Sequence, residues 1–98
     1  MKSEEVIAIL KRHESALRAR GVSHAALFGS VARGDARTDS DVDIMIELMP
    51  DNKLDIFAYS GLLNDIAKLF PVPVDVVDRD ALKPYVRPPA VRDAIYAF

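Results

Sequence analysis

Two aspartates carry the first chemical signal. Asp41 and Asp43 are separated by one residue in the run Asp41-Val42-Asp43-Ile44-Met45-Ile46-Glu47-Leu48. Val42, Ile44, Ile46 and Leu48 alternate with Asp41, Asp43, Met45 and Glu47, which predicts a strand over 41–48. On a strand both carboxylates leave the same face, with Cα atoms about 6.5–7 Å apart. Two carboxylates so placed resist joint ionisation unless a cation stands between them. Hard oxygen ligands of this kind suit magnesium, which is held through one or two carboxylates and a substrate phosphate. Taken alone, an Asp-x-Asp pair is more often a solvated acidic strand face than a metal site.

A second group stands ten residues earlier. Gly29-Ser30 follows the strand candidate 23–28. A glycine there lets the chain turn sharply and approach a phosphate closely. Ser30 adds a backbone N–H and a hydroxyl. A helical turn over 30–33 would aim its N-terminus at the same place and favour an anion. Arg33 and Arg37 add positive charge. The plainer alternative is an ordinary glycine-bearing connection with solvated arginines. A third carboxylate, Asp75, alternates with Val74 and Val76 in the strand candidate 72–77. It is either a solvated strand-edge residue or a partner of Asp41 and Asp43, since burying it alone would be unfavourable. Asp78 fits the solvated alternative better.

Two competing motifs fail. Gly29 and Gly34 have Walker A spacing, but Asp35-Ala36 replaces the Lys-Ser/Thr that follows. Asp39, Asp41 and Asp43 open like an EF-hand loop, but Ile44 replaces its glycine and Pro50 its final glutamate.

The elements that must position these residues are legible in outline. Residues 3–20 form a helical pattern with a break at Glu14, capped by Ser3 and ended by Gly21. Residues 54–70 form a second helix, with Leu54, Phe57, Leu62, Ile66 and Leu69 on one stripe and Pro71 ending it. Pro88-Pro89 opens a last helix running to Ala97. The order is α-β-α-β-α-β-α, counting a short helical turn in the glycine loop. This is an α/β (α+β) arrangement, a small mixed sheet with helices packed on it. The β-α-β unit implies a parallel strand pair, and the short link between the first two strands an antiparallel one.

Composition narrows the function. The chain has 98 residues, which predicts one domain, 1–98. With no cysteine and two histidines, it excludes thiol nucleophiles, disulfides and Cys- or His-rich metal sites. Its net charge of −2 argues against a protein that grips nucleic acid by its phosphates. The first residues are too acidic for a signal peptide, and no apolar run approaches a membrane span, so a cytoplasmic protein is expected. His13 reads as a surface residue, and His24 as a strand-start residue without a role.

The pattern Gly29-Ser30, ten residues, Asp41-Val42-Asp43 resembles the signature of the minimal nucleotidyltransferases in the DNA polymerase β-like superfamily. The likeness runs from Leu27 through Arg37 and from Ser40 through Ile44. It extends to Val74-Asp75-Val76-Val77 and to Val91–Tyr96, similar to the family's C-terminal helix. The resemblance implies the nucleotidyltransferase fold and two Mg2+ ions held by Asp41, Asp43 and Asp75. It implies that Gly29, Ser30 and Arg33 cradle the phosphates of ATP, and that AMP is transferred to an acceptor. The family's acceptor is a tyrosine of a cognate HEPN-domain ribonuclease toxin, which would make the chain an antitoxin. Two alternatives remain: neutralisation of the partner by occlusion alone, or a small-molecule nucleotidyltransferase completed by a partner domain. Tyr85, Tyr96 and Phe98 offer aromatic interface anchors, although Tyr85 is expected to pack on the domain's own sheet.

Overall fold

The computed structural model describes residues 1–34, 41–85 and 87–98. Its elements are α1 (Ser3–Arg12), α2 (Glu14–Ala19), β1 (Val22–Phe28), α3 (Gly29–Arg33), β2 (Val42–Leu48), α4 (Ile56–Ala67), β3 (Val74–Asp78), a 3-10 turn (Arg79–Ala81), α5 (Arg87–Asp93) and β4 (Ile95–Tyr96). The four strands form one mixed sheet in the order β3-β2-β1-β4. β1 and β2 are antiparallel, and β2 and β3 are parallel, as the lengths of their connections require.

The first helical segment divides at His13, whose φ of −102° and ψ of 9° leave the helical region. Its N-cap is Lys2, not Ser3, and the Lys2 backbone N–H donates to Glu5 Oε1 at 3.0 Å. Gly21, with φ +97°, closes the segment by donating its N–H to the Arg18 carbonyl. Asp55 caps α4 by accepting from the Ala58 N–H at 2.8 Å, so this helix starts two residues later than its apolar stripe suggests.

One sheet face is apolar. Ala25 and Leu27 of β1 and Val42, Ile44 and Ile46 of β2 are fully buried there. Val6, Leu10 and Leu17 from α1 and α2 and Leu62 and Ile66 from α4 join them in one core. Phe57 departs from the expected stripe. It is 84% exposed, beside Ile56 at 68%, because both sit in the first turn of α4, ahead of the buried positions.

The C-terminus corrects the sequence expectation. The helix ends at Asp93, and Ile95–Tyr96 form a strand pairing antiparallel with Leu27 and Ala26. The Ala97 N–H donates to the Ala25 carbonyl at 2.8 Å and extends the contact. Without this segment β1 would be an unpaired edge, and satisfying its backbone groups outweighs another helical turn.

Ile44 lies in the middle of the central strand. Ile44→Ala should lower unfolding free energy by about 2–5 kcal/mol in urea titrations. A loss under about 1 kcal/mol would contradict the packing described.

Candidate active site

The second sheet face is built differently. Antiparallel pairing sets Phe28, Ala26 and His24 of β1 beside Asp43, Met45 and Glu47 of β2. Parallel pairing sets Asp75 beside Asp43 and Val77 beside Met45. The β-α-β register therefore brings the third carboxylate to the first strand pair. Asp41 directly precedes β2 and is exposed, Asp43 is half-buried and Asp75 is exposed. Asp75 thus escapes the penalty expected of a buried lone aspartate, because β3 is an edge strand. Asp78, by contrast, is half-buried on the opposite face, where it accepts from the Tyr59 hydroxyl at 3.4 Å.

Burial, then the nearby Asp75 and Asp41 carboxylates, push the Asp43 carboxyl above its ordinary value, and Arg33 partly opposes them. Asp43 therefore senses both of the other carboxylates. Among the described residues no three such side chains enclose a metal on their own. Magnesium does not need that, since it keeps several waters and shares its ligands with a phosphate.

Gly29 completes the corner. It follows Phe28, the β1 partner of Asp43, and has φ +77°, where L side chains are strained. A Cβ at this position would fall on Asp43 Oδ2 and stand 3.1 Å from Asp43 Cγ. The residue is thus fixed twice, by its backbone angle and by the carboxylate above it. Ser30 is half-buried in the first turn of α3, where backbone N–H groups lack intrahelical acceptors. Arg33 is in the last turn, and its Nη1 lies 3.3 Å from Asp93 Oδ2 on α5. Arg37 lies outside the described residues.

No local pattern signals the role of Asp93 or the setting of Tyr85. Tyr85 does not pack on the sheet and is 72% exposed. His13 is half-buried against the Ile9 carbonyl, and exposed His24 meets Tyr96 edge-on.

This corner of a mixed sheet, with two strand carboxylates, a glycine turn and a third carboxylate on the next strand, matches a known architecture. A family model described as the nucleotidyltransferase domain matches residues 6–97. The chain belongs to the nucleotidyltransferase domain family. The protein adenylyltransferase MntA of Thermococcus cleftensis is 33% identical over 94 residues, covering 95% of this chain and 93% of that one. A candidate protein adenylyltransferase of Methanocaldococcus jannaschii is 34% identical, covering 94% of each. The solved structure of a candidate minimal nucleotidyltransferase superposes with a TM-score of 0.75 at 32% identity, over 97% of this chain and 95% of that one. A toxin–antitoxin crystal structure with AMP-PNP superposes at 0.67 over all of this chain and 73% of that one, and at 22% identity it supports the fold. The reaction class of this nucleotidyltransferase is therefore nucleotidyl transfer.

Two measurements test the corner. Gly29→Ala should destabilise more than Gly34→Ala. Both glycines have φ near +80°, costing about 1–2 kcal/mol with a side chain, but a Cβ at Gly34 meets no described atom within 4 Å. Equal losses would contradict the Asp43 contact. The second test concerns charge. A raised carboxyl pKa favours folding below the ordinary value of 3.8 and disfavours it once pH passes the folded value. Asp43→Asn, without divalent metal, should therefore raise Tm at pH 7 and lose that gain as pH falls below 3.8. An unchanged gain at both pH values would exclude this electrostatic origin.

Proposed function

We propose that this nucleotidyltransferase transfers AMP from ATP to a tyrosine hydroxyl on a cognate HEPN-domain toxin and so acts as its antitoxin. The observation that carries the reading is the register that sets Asp43 beside Asp75 and against Gly29, with Asp41 at the mouth of the same strand. The names of the full-length relatives, protein adenylyltransferases, support a protein acceptor. The complexes of HEPN toxin with MNT antitoxin that share the fold point to the kind of partner. Residues 1–98 would act as one minimal domain.

Asp41, Asp43 and Asp75 are the residues that would hold Mg2+, and two ions fit the family pattern. Burial first, and then repulsion from Asp75 and Asp41, raise the Asp43 pKa, and a bound cation would relieve that repulsion. When bound, the metal would lower the pKa of the attacking hydroxyl and offset the charge of the departing pyrophosphate. The chain's own groups do the rest. The backbone N–H groups of Gly29 and Ser30, with the Ser30 hydroxyl, bind phosphate oxygens. Gly29 lets the backbone reach them, because no Cβ intervenes. Arg33, held toward α5 by Asp93, adds positive charge beside the triphosphate. The acceptor oxygen, its proton passing to solvent water, attacks the α-phosphorus, the bond from that phosphorus to the bridging oxygen breaks, and pyrophosphate leaves with the electron pair. Positioning and charge stabilisation dominate such a transfer.

A second reading has its own observation. Ile56 and Phe57 form an exposed apolar pair on α4, and such a pair could anchor a partner bound by occlusion alone. One experiment separates the two. The protein is incubated with radiolabelled ATP, magnesium and the product of the adjacent gene. Label should appear on a tyrosine of that product. Asp41→Ala and Asp43→Asn should each cut transfer by about 100-fold or more while leaving partner binding intact. Neutralisation of the partner at full strength by these variants would favour occlusion, and absence of label with folded wild-type protein would defeat the transferase reading.

A further inference from the structure

Beside the carboxylate corner lies a cleft of about 310 Å³ between the end of β1, α3 and α5. Phe28, Gly29, Arg33, Tyr85, Pro89 and Asp93 line it. Gly29 belongs to both the cleft and the corner, so the two are continuous. The volume lies at the lower end of the range for small-molecule sites, about 300–1,000 Å³. That suits one flat heterocycle with its sugar and not a whole nucleoside triphosphate.

Tyr85 is the unusual member. An aromatic ring left 72% exposed, in a chain with seven aromatic residues, forgoes the apolar burial that usually places it. As a lining residue of the cleft that also contains Gly29 and Arg33, the ring has a use there. Lys83 Nζ stands 6.0 Å from the ring centroid and brings positive charge beside it. Arg87 donates to the carbonyls of Asp80 at 3.2 Å and Leu82 at 3.4 Å, so the ring is presented from a tied segment.

The geometry points to Tyr85 as the stacking wall of a nucleoside pocket, which takes the base of the substrate nucleotide while the corner takes its phosphates. The inference rests on the nucleotidyl-transfer reading of that corner. Stacking engages the flat face that every base shares, so Tyr85 contributes affinity for any nucleobase and favours purines through their larger surface. Tyr85 is thus a substrate-binding residue distant from the phosphorus chemistry, and its loss weakens nucleotide binding without touching the triphosphate contacts.

The test is calorimetric titration of wild type, Tyr85→Ala and Tyr85→Trp with two probes, ATP and inorganic tripolyphosphate, each with magnesium. Tyr85→Ala should weaken ATP binding about tenfold and leave tripolyphosphate binding unchanged. Tyr85→Trp should restore or tighten ATP binding. Since the side chain is exposed, its removal should leave Tm nearly unchanged, and that is measured alongside. Wild type binding both probes, with Tyr85→Ala matching it on ATP, would overturn the inference alone. Wild type binding neither probe would overturn it together with the reading of the corner.

Discussion

The contact between the Asp43 carboxylate and the turn at Gly29 governs the geometry of this protein. Antiparallel pairing sets Phe28 opposite Asp43, so the chain leaving β1 must pass under that carboxylate. It can do so because residue 29 has no Cβ and adopts φ +77°. Much follows from that permission. The backbone turns directly into α3, whose first N–H groups then lie next to an acidic strand. A backbone suited to an anion and a carboxylate suited to a cation thus become neighbours, the juxtaposition that the proposed metal–polyphosphate complex would use.

The same contact sets an energetic problem that the sheet resolves by having two unlike faces. Asp43 is partly withdrawn from water and lies near Asp75 and Asp41, so its ionised form opposes folding. The reverse of the same strand supplies the compensation. Val42, Ile44 and Ile46 are fully buried against α1, α2 and α4. Alternation along β2 therefore sets the core positions Val42, Ile44 and Ile46 opposite the face of Asp43, and one strand carries both the core and the candidate site.

This division also explains which parts of the molecule were readable in the sequence. β2 was readable because period-two alternation of apolar and acidic residues is a local signal. The neighbourhood of Asp43 and Asp75 was readable because a β-α-β connection implies a parallel pair. The break at His13 left only a weak trace, a missed apolar position near Glu14. Four features were not readable from the local apolar pattern. Ile95 and Tyr96 continue a plausible helical pattern, and only the unpaired edge of β1 draws them into a strand. Phe57 fits an apolar stripe, but the start of α4 at its Asp55 cap leaves it ahead of the core. Tyr85 reads as a core aromatic until the course of the loop before α5 is known. The ion pair from Arg33 to Asp93 joins residues sixty positions apart, and neither has a neighbour in sequence that announces the other.

Glu47 shows why chemistry gathers at one end of the polar face. It projects from the same side of β2 as Asp43, two pleats further along. Its carboxylate accepts from the Tyr96 hydroxyl at 2.8 Å and faces Arg79 Nη1 at 3.3 Å. Burial first, and then that bond to Glu47, raise the Tyr96 pKa, so the phenol stays a donor throughout the neutral range. β4 and the turn after β3 are in this way fastened to the central strand, and Glu47 is satisfied as a structural anion. No ion pair within 4.0 Å performs this service for Asp41, Asp43 or Asp75 among the described residues. Two acidic ends of one strand therefore differ in kind. At Glu47 the protein supplies the compensating charge itself. At Asp43 Arg33 offsets the negative field only in part, and on the proposed reading a mobile cation arriving with an anionic ligand would gain the remaining stabilisation.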